Sequence, residues 1–331
     1  MLNPQAKLSN KIFSQDIEQV PTRNGYGEGL VEAGEKDERV VALCADLTES
    51  TRTEYFKKEF PDRFIEVGVA EQALATIAAG MANYGKIPFI SSYAAFSPGR
   101  NWEQIRTTIA LNNVPVKIAG AHAGISVGPD GATHQQLEDI ALMRAMPNMI
   151  VIAPCDAIET RKATYEAAFN GKPTYIRFAR EKTPVFTTEK TPFKIGKAET
   201  FWESKNSQVA IIACGPLVYE ALLSAKELEE TGIESEVINC HTIKPIDEKA
   251  IISAARRCGA IVSVEEHQIS EGLGSAIAEV LTRNYPVPME YIGMPNSFGE
   301  SGEPDELLEK YKMKSKNIVE ACKKVIKRKN S

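Results

Sequence analysis

The chain has 331 residues, of which 43% are apolar and 25% charged, and its net charge is −5 at pH 7. That length is comfortable for two domains, each with its own core, and the mild acidity argues against a general nucleic-acid or membrane-surface role. No apolar run approaches the ~18 residues of a membrane span and the start lacks the apolar stretch of a secretory signal, so the expected location is the cytoplasm.

Residues 1–20 are polar and aperiodic, an extension expected to pack on something else. The first domain is expected over 21–183. It opens with TRNGYGEGLVEAGEK as a helix, followed by the strand VVALCAD. The glycines of GYGEG miss the G-x-G-x-x-G spacing and follow no strand, so they read as packing or helix-entry glycines. Asp46 and Ser50 lie just beyond the strand, where loops commonly carry function. Next, FIEVGV reads as a buried strand leading into an Ala-rich helix from about Ala70 to Gly85, with Glu71 at the junction. A carboxylate there sits beside unpaired N–H groups, as capping acids do. The run IPFISSYAAF then supplies the aromatic residues Phe89, Tyr93 and Phe96.

NWEQIRTTIALNN predicts a helix and VKIAGA a strand, opening into a Gly-rich loop with two of the chain's four histidines, His122 and His134, and Asp130 between them. A helix LEDIALMRAM, strand MIVIAP, helix DAIETRKATYEAAF and strand PTYIRFAR complete the domain, with Arg177 and Arg180 expected to be exposed. This alternation predicts a mostly parallel, helix-covered sheet. Residues 184–207 read as a linker with a short edge strand. Residues 208–331 predict a second, smaller α/β domain, whose EGLGSA reads as a loop cap rather than a nucleotide loop. Its basic end, KKVIKRKNS, reads as a solvated helix end. The six cysteines contain no C-x-x-C pair and are expected to be free, mostly inside strands.

The Glu71 unit resembles the pyrimidine-binding domain of thiamine diphosphate enzymes. The resemblance implies that Glu71 meets N1′ of the aminopyrimidine and favours the imino tautomer that activates the cofactor. The histidine loop narrows the family. His122, Asp130 and His134, spaced eight and four residues apart in HAGISVGPDGATHQ, stand as in the G-x-D-G-x-T-H frame of transketolases. A metal centre would want a third nitrogen or sulfur ligand, and none is evident.

What the transketolase resemblance implies extends over residues 20–325 or so. His122, Asp130, Arg23, Ser50 and Arg180 would bind a sugar phosphate, the arginines through forked hydrogen bonds. Glu71, His122 and His134 would be catalytic. Asp46, Glu71, Ile90, Tyr93, Phe96 and His134 would surround thiamine diphosphate, with stacking shared among Ile90, Tyr93 and Phe96. Ile90 is a departure, since transketolases commonly carry phenylalanine there.

The family's other cofactor domain holds the diphosphate through Mg²⁺ or another divalent cation with a G-D-G motif, and no G-D-G occurs in this sequence. The chain therefore resembles the C-terminal half of a split transketolase. A separate N-terminal subunit, in an α2β2 assembly, would supply the metal site and share the cofactor. Two alternatives keep the fold: a deoxyxylulose-phosphate synthase-like enzyme or a 2-oxoacid dehydrogenase beta subunit. A third is a non-catalytic scaffold.

Overall fold

Short runs of buried β-branched residues alternate with Ala-rich helical segments, the pattern of sheets covered on both faces. The structure, a computed structural model, describes residues 1–329. Its strands are β1 (Gln19–Pro21), β2 (Val40–Cys44), β3 (Phe64–Glu66), β4 (Ile87–Tyr93), β5 (Lys117–Ala121), β6 (Ile150–Ile152), β7 (Thr174–Arg177), β8 (Lys182–Pro184), β9 (Glu199–Trp202), β10 (Val209–Ala213), β11 (Ser235–Asn239), β12 (Thr242–Lys244), β13 (Ile261–Gln268) and β14 (Met289–Met294). One sheet has seven strands in the order β12-β6-β7-β5-β4-β2-β3, and a second has five in the order β14-β13-β10-β11-β9. Pairing is parallel throughout both sheets except at β12–β6 and β11–β9, which are antiparallel. The fold is thus α/β, with two mostly parallel sheets.

Three helices bear on the site: α1 (Thr22–Lys36), α2 (Glu54–Glu59) and α3 (Glu71–Asn83). The glycines of α1 do pack closely. A Cβ on Gly25 would lie 1.9 Å from the carbonyl oxygen of Ala157, and one on Gly29 2.5 Å from that of Arg161. Only a helix without side chains there can approach the helix Ala157–Phe169 so nearly.

Several elements differ from the sequence reading. ESEVINCHT splits after Asn239: β11 stays in the five-stranded sheet, while β12 crosses over and closes the edge of the seven-stranded one. The segment after the aromatic run begins as the helical turn Trp102–Gln104 and continues as π-helix over Ile105–Ala110. The N-terminal extension packs on the second half of its own chain. Ala6 and Ile12 are buried with Phe186, Phe201 and Trp202, and the Ser9 amide donates to the Phe186 carbonyl at 2.8 Å. Within 184–207, β9 is the expected edge strand.

The loop EGLGSA is a cap, as expected: the buried carboxylate of Glu265 accepts the amides of Leu273 (2.6 Å) and Gly274 (2.8 Å) at the start of the helix Leu273–Asn284. All six cysteines are free and buried. The basic end is helical through Lys329, and Asn330 and Ser331 lie outside the described residues. Among the described residues no helix is long and apolar enough to cross a membrane.

Candidate active site

Five neighbouring parallel strands, β7, β5, β4, β2 and β3, turn their carboxyl ends toward one surface, the place where open α/β sheets bind ligands. Arg180 follows β7 and His122 follows β5. Tyr93 ends β4, with Phe96 just after it, Asp46 and Ser50 follow β2, and Glu71 follows β3. Arg23 joins them from the first turn of α1. That turn is stapled to the end of β7 by Thr22, whose hydroxyl donates to the Ala179 carbonyl (3.1 Å) and accepts the Ala179 amide (2.9 Å).

At one side is the acid. β3 stops at Glu66, short of the expected Val69, because the Glu66 carboxylate bends the chain around itself. It accepts the amides of Gly68 (3.0 Å) and Asp46 (2.7 Å) and the Thr48 hydroxyl (3.0 Å). Gly68 takes φ +70 in this bend, where a side chain would be strained. Glu71 then opens α3 with its side chain 2% exposed and bonded to Arg100 at 2.7 Å.

Beside the acid lie the rings. Tyr93 stacks on His122 with centroids 3.9 Å apart and on Phe96 at 6.0 Å, while His134 meets Phe96 edge-on at 5.4 Å. Ile90 is not among them. It is 0% exposed, packed with Leu43, Leu74 and Ile118 in the core beneath α3, and so offers no surface to a ligand ring. Alternation along the strand explains this: an odd step from Tyr93 puts Ile90 on the opposite face of the sheet.

At the other side are cations. Arg23 donates to the Ser50 carbonyl (3.0 Å), Arg52 to the Asn24 side chain (3.0 Å) and Arg180 to the Val127 carbonyl (3.0 Å). Arg52 and Arg180 each have a carboxylate at 3.1 Å, Glu54 and Glu181. His122 stands among them, buried, in the left-handed region at φ +54. Its Nδ1 and the Nε of Arg23 are buried with no partner among the described residues. Burial first, then Arg23, Arg180, His134 and Arg52, push the His122 pKa down to about 3. The ring is neutral at pH 7, with one nitrogen to donate and one to accept. Arg23 is lowered as well, by burial and by Arg52 and Arg180. An incoming anion would relieve this crowding of positive charge.

Asp130 ends the turn Ile125–Asp130 and is exposed, and Asp46 is exposed with φ +57. The loop from His122 to His134 is braced from the second half of the chain. Buried Glu266, within β13, accepts the Ser126 amide at 2.6 Å, and Gln135 donates to the Glu300 carbonyl at 2.8 Å. Arg177, expected to be exposed, is instead 4% exposed and serves the same bracing: it donates to Asp139 at 2.8 Å and to the Glu266 carbonyl at 2.6 Å.

The family description "Transketolase, pyrimidine binding domain" matches residues 18–185 and "Transketolase, C-terminal domain" matches residues 196–318. The chain belongs to the transketolase family. A Methanocaldococcus jannaschii protein described as a transketolase C-terminal section is 45% identical over 309 residues, covering 91% of this chain and 96% of that one. The 6-deoxy-6-sulfo-D-fructose transketolase subunit of a Clostridium species is 40% identical over 321 residues, 97% and 99% of the two chains. A solved split-gene transketolase, described as an inactive beta4 tetramer, superposes with a TM-score of 0.87 at 42% identity, over 94% of this chain and 99% of that one.

Transketolase family domains imply the use of thiamine diphosphate. The residues present suit its pyrimidine end: an acid at a helix start, two aromatic rings and an edge-on histidine. Among the described residues no group of three or more His, Cys, Asp or Glu side chains is placed to hold a metal ion.

Sequence reasoning missed Arg52, Glu66 and Arg100. Arg52 sits two positions after Ser50 in TEST-Arg, a spacing that marked it as a neighbour of the same loop. Arg100 carried no such local signal, since Glu71 lies 29 residues away, and of the partners of Glu66 only Gly68 is near in the chain, Asp46 lying 20 residues away.

Proposed function

We propose that this chain is the C-terminal subunit of a split transketolase. It would be active with a separate N-terminal subunit in an α2β2 assembly, and would transfer a two-carbon ketol unit from a ketose phosphate to an aldose phosphate. The observation that carries the reading is the convergence at one strand-end surface of an acid-and-aromatic side with an arginine-and-histidine side. The first suits an aminopyrimidine and the second an anionic sugar.

Thiamine diphosphate, when bound, supplies the carbanion chemistry that lets a carbon–carbon bond next to a carbonyl break and reform. Glu71 would hold a proton at the pyrimidine's ring nitrogen. Tyr93 and Phe96 would give the ring an apolar wall, while His134, edge-on to both, would move a proton at the cofactor's amino end. His122, neutral and adjoining Tyr93, would donate to or accept from substrate hydroxyls. Arg23, Ser50 and Arg180 would take the sugar's terminal anion, with Arg52 adding field, and Asp130 would accept a hydroxyl. The exposed Asp46 would lie toward the cofactor. The diphosphate and its Mg²⁺ would be held mainly by the partner, in keeping with the absence of G-D-G here.

A sulfonate would fit the same arginines as a phosphate, and the Clostridium relative named for a sulfo-sugar makes it the substrate to set beside sugar phosphates. The test is ketol transfer from xylulose 5-phosphate, or from 6-deoxy-6-sulfofructose, to an aldose phosphate, with thiamine diphosphate and Mg²⁺. The chain is assayed alone and then with a separately produced transketolase N-terminal section. Activity in the mixture only supports the reading. Pyruvate-dependent activity instead would point to a synthase or dehydrogenase, and none with any donor to a scaffold.

A further inference from the structure

The acid that the proposed chemistry needs most is closed off. Glu71 is 2% exposed, and Arg100 Nη1 donates to its Oε2 at 2.7 Å. The two partners are unequal, for the Arg100 side chain is 49% exposed. Its guanidinium lies 4.7 Å from the centre of the Phe96 ring, so it covers a second member of the same side of the site. The backbone beneath it is fixed. The Arg100 amide donates to the Phe96 carbonyl at 3.0 Å, and the next residue, Asn101, donates to the Glu71 carbonyl at 2.9 Å and the Ser97 hydroxyl at 3.2 Å. Gly99, on which a Cβ would meet the Ala95 carbonyl oxygen at 2.0 Å, keeps this turn tight. The base of the arginine therefore stays put while its long arm, half in solvent, is free to turn.

A ring nitrogen that shares a proton with Glu71 must come within hydrogen-bond distance of the carboxylate. At 2% exposure the carboxylate leaves no room for it until something moves. We infer that Arg100 is a latch: it pairs with Glu71 while the pyrimidine is away and swings off the carboxylate and Phe96 when the ring arrives. This rests on the proposed function, and makes Arg100 a positioning residue that tunes cofactor affinity rather than a catalytic one. A protein held in a closed state binds more weakly by the fraction of time it is closed, so the latch lowers affinity, and releasing it raises affinity. The same pair keeps a buried carboxylate from standing alone in the free chain, which is costly.

The test uses Arg100→Met, which keeps the apolar stem and removes the charge, and Arg100→Lys, which keeps a charge but not the fork. Thiamine diphosphate is titrated into the assembled two-subunit protein, with the neighbouring Trp102 as fluorescence reporter. The expected result is binding tighter by roughly tenfold for Arg100→Met, with Arg100→Lys between it and wild type. In parallel, the free chain should melt lower with Arg100→Met, and that loss should shrink when Glu71→Gln is present. Equal or weaker binding by Arg100→Met, with the melting coupling intact, would overturn the latch and leave a structural ion pair. Equal melting losses with and without Glu71→Gln would overturn the pairing itself. If the wild-type assembly takes up no thiamine diphosphate, the proposed function fails and the latch with it, an outcome separated from the others by the wild-type titration. Should Arg100→Met not fold, Arg100→Lys carries the comparison, with tighter binding expected and unchanged binding overturning.

Discussion

The two sides of the strand-end surface are built differently. The acid side is made within the seven-stranded sheet's own loops: Glu66 bends the approach to α3, Asn101 ties the aromatic turn to Glu71, and a half-exposed arginine lies over the carboxylate. The cationic side is braced from behind by the second half of the chain, through Glu266 on Ser126, Glu300 on Gln135 and the buried Arg177–Asp139 pair. One side is arranged around a group able to move, the other around groups that stay. Under the proposed function, that would suit a cofactor that enters once and sugars that come and go at every turnover against a fixed anion seat.

The largest effect should follow from Glu71→Gln. With the partner present, turnover is expected to fall on the order of a thousandfold while the circular dichroism spectrum is unchanged. Near-normal turnover would remove the acid from the mechanism. Next, Arg180→Ala should raise KM for the anionic sugar by ~10–100-fold, about 1.5–3 kcal/mol for a charged hydrogen bond, and leave thiamine diphosphate affinity as it was. A weakened cofactor and unchanged KM would mean that the two sides had been assigned the wrong way round.

Bracing predicts a smaller change of the same kind. Glu266→Ala removes the acceptor of the Ser126 amide and should cost about 1–3 kcal/mol in stability, with a several-fold rise in KM and little change in cofactor binding. Glu266→Gln keeps an acceptor oxygen and should recover most of the KM. Equal KM values across the three proteins would make the bracing purely structural.

The last prediction concerns the pH dependence of His122. Its pKa in the fold is about 3, against an ordinary 6.5. As pH falls through 6.5 the unfolded chain takes up a proton that the folded chain refuses until about 3. The contribution of His122 to stability is therefore complete above 6.5 and is lost between 6.5 and 3. Denaturant melts of wild type and His122→Asn should show their difference moving against wild type over that window, and the difference should lessen when inorganic phosphate is added. A pH-independent difference would say that neither burial nor the neighbouring arginines hold this ring neutral.

Much of this was legible in the sequence because it is local. His122, Asp130 and His134 share one loop, and strand-then-helix junctions announce where Asp46, Glu71 and Arg180 must stand. The failures came from periodicity ignored and from partners distant in the chain. The family resemblance groups Ile90 with Tyr93 and Phe96, although alternation along β4 sends it into the core. Arg177 read as exposed because its partner Asp139 lies 38 residues earlier. Arg100 drew no reading at all, since its partner Glu71 lies 29 residues earlier.

The crossover of β12 has a consequence for how the protein is made. β6 is an outer strand until Thr242–Lys244 pair with it, and the Ala153 amide just beyond it waits for the His241 carbonyl at 2.7 Å. During synthesis the sheet that carries the site therefore emerges with an open backbone edge, and is sealed only after β9, β10 and β11 have left the ribosome. A shortened gene that stops anywhere within residues 184–207 would encode every residue of the candidate site and still deliver a sheet ready to stick to its neighbours.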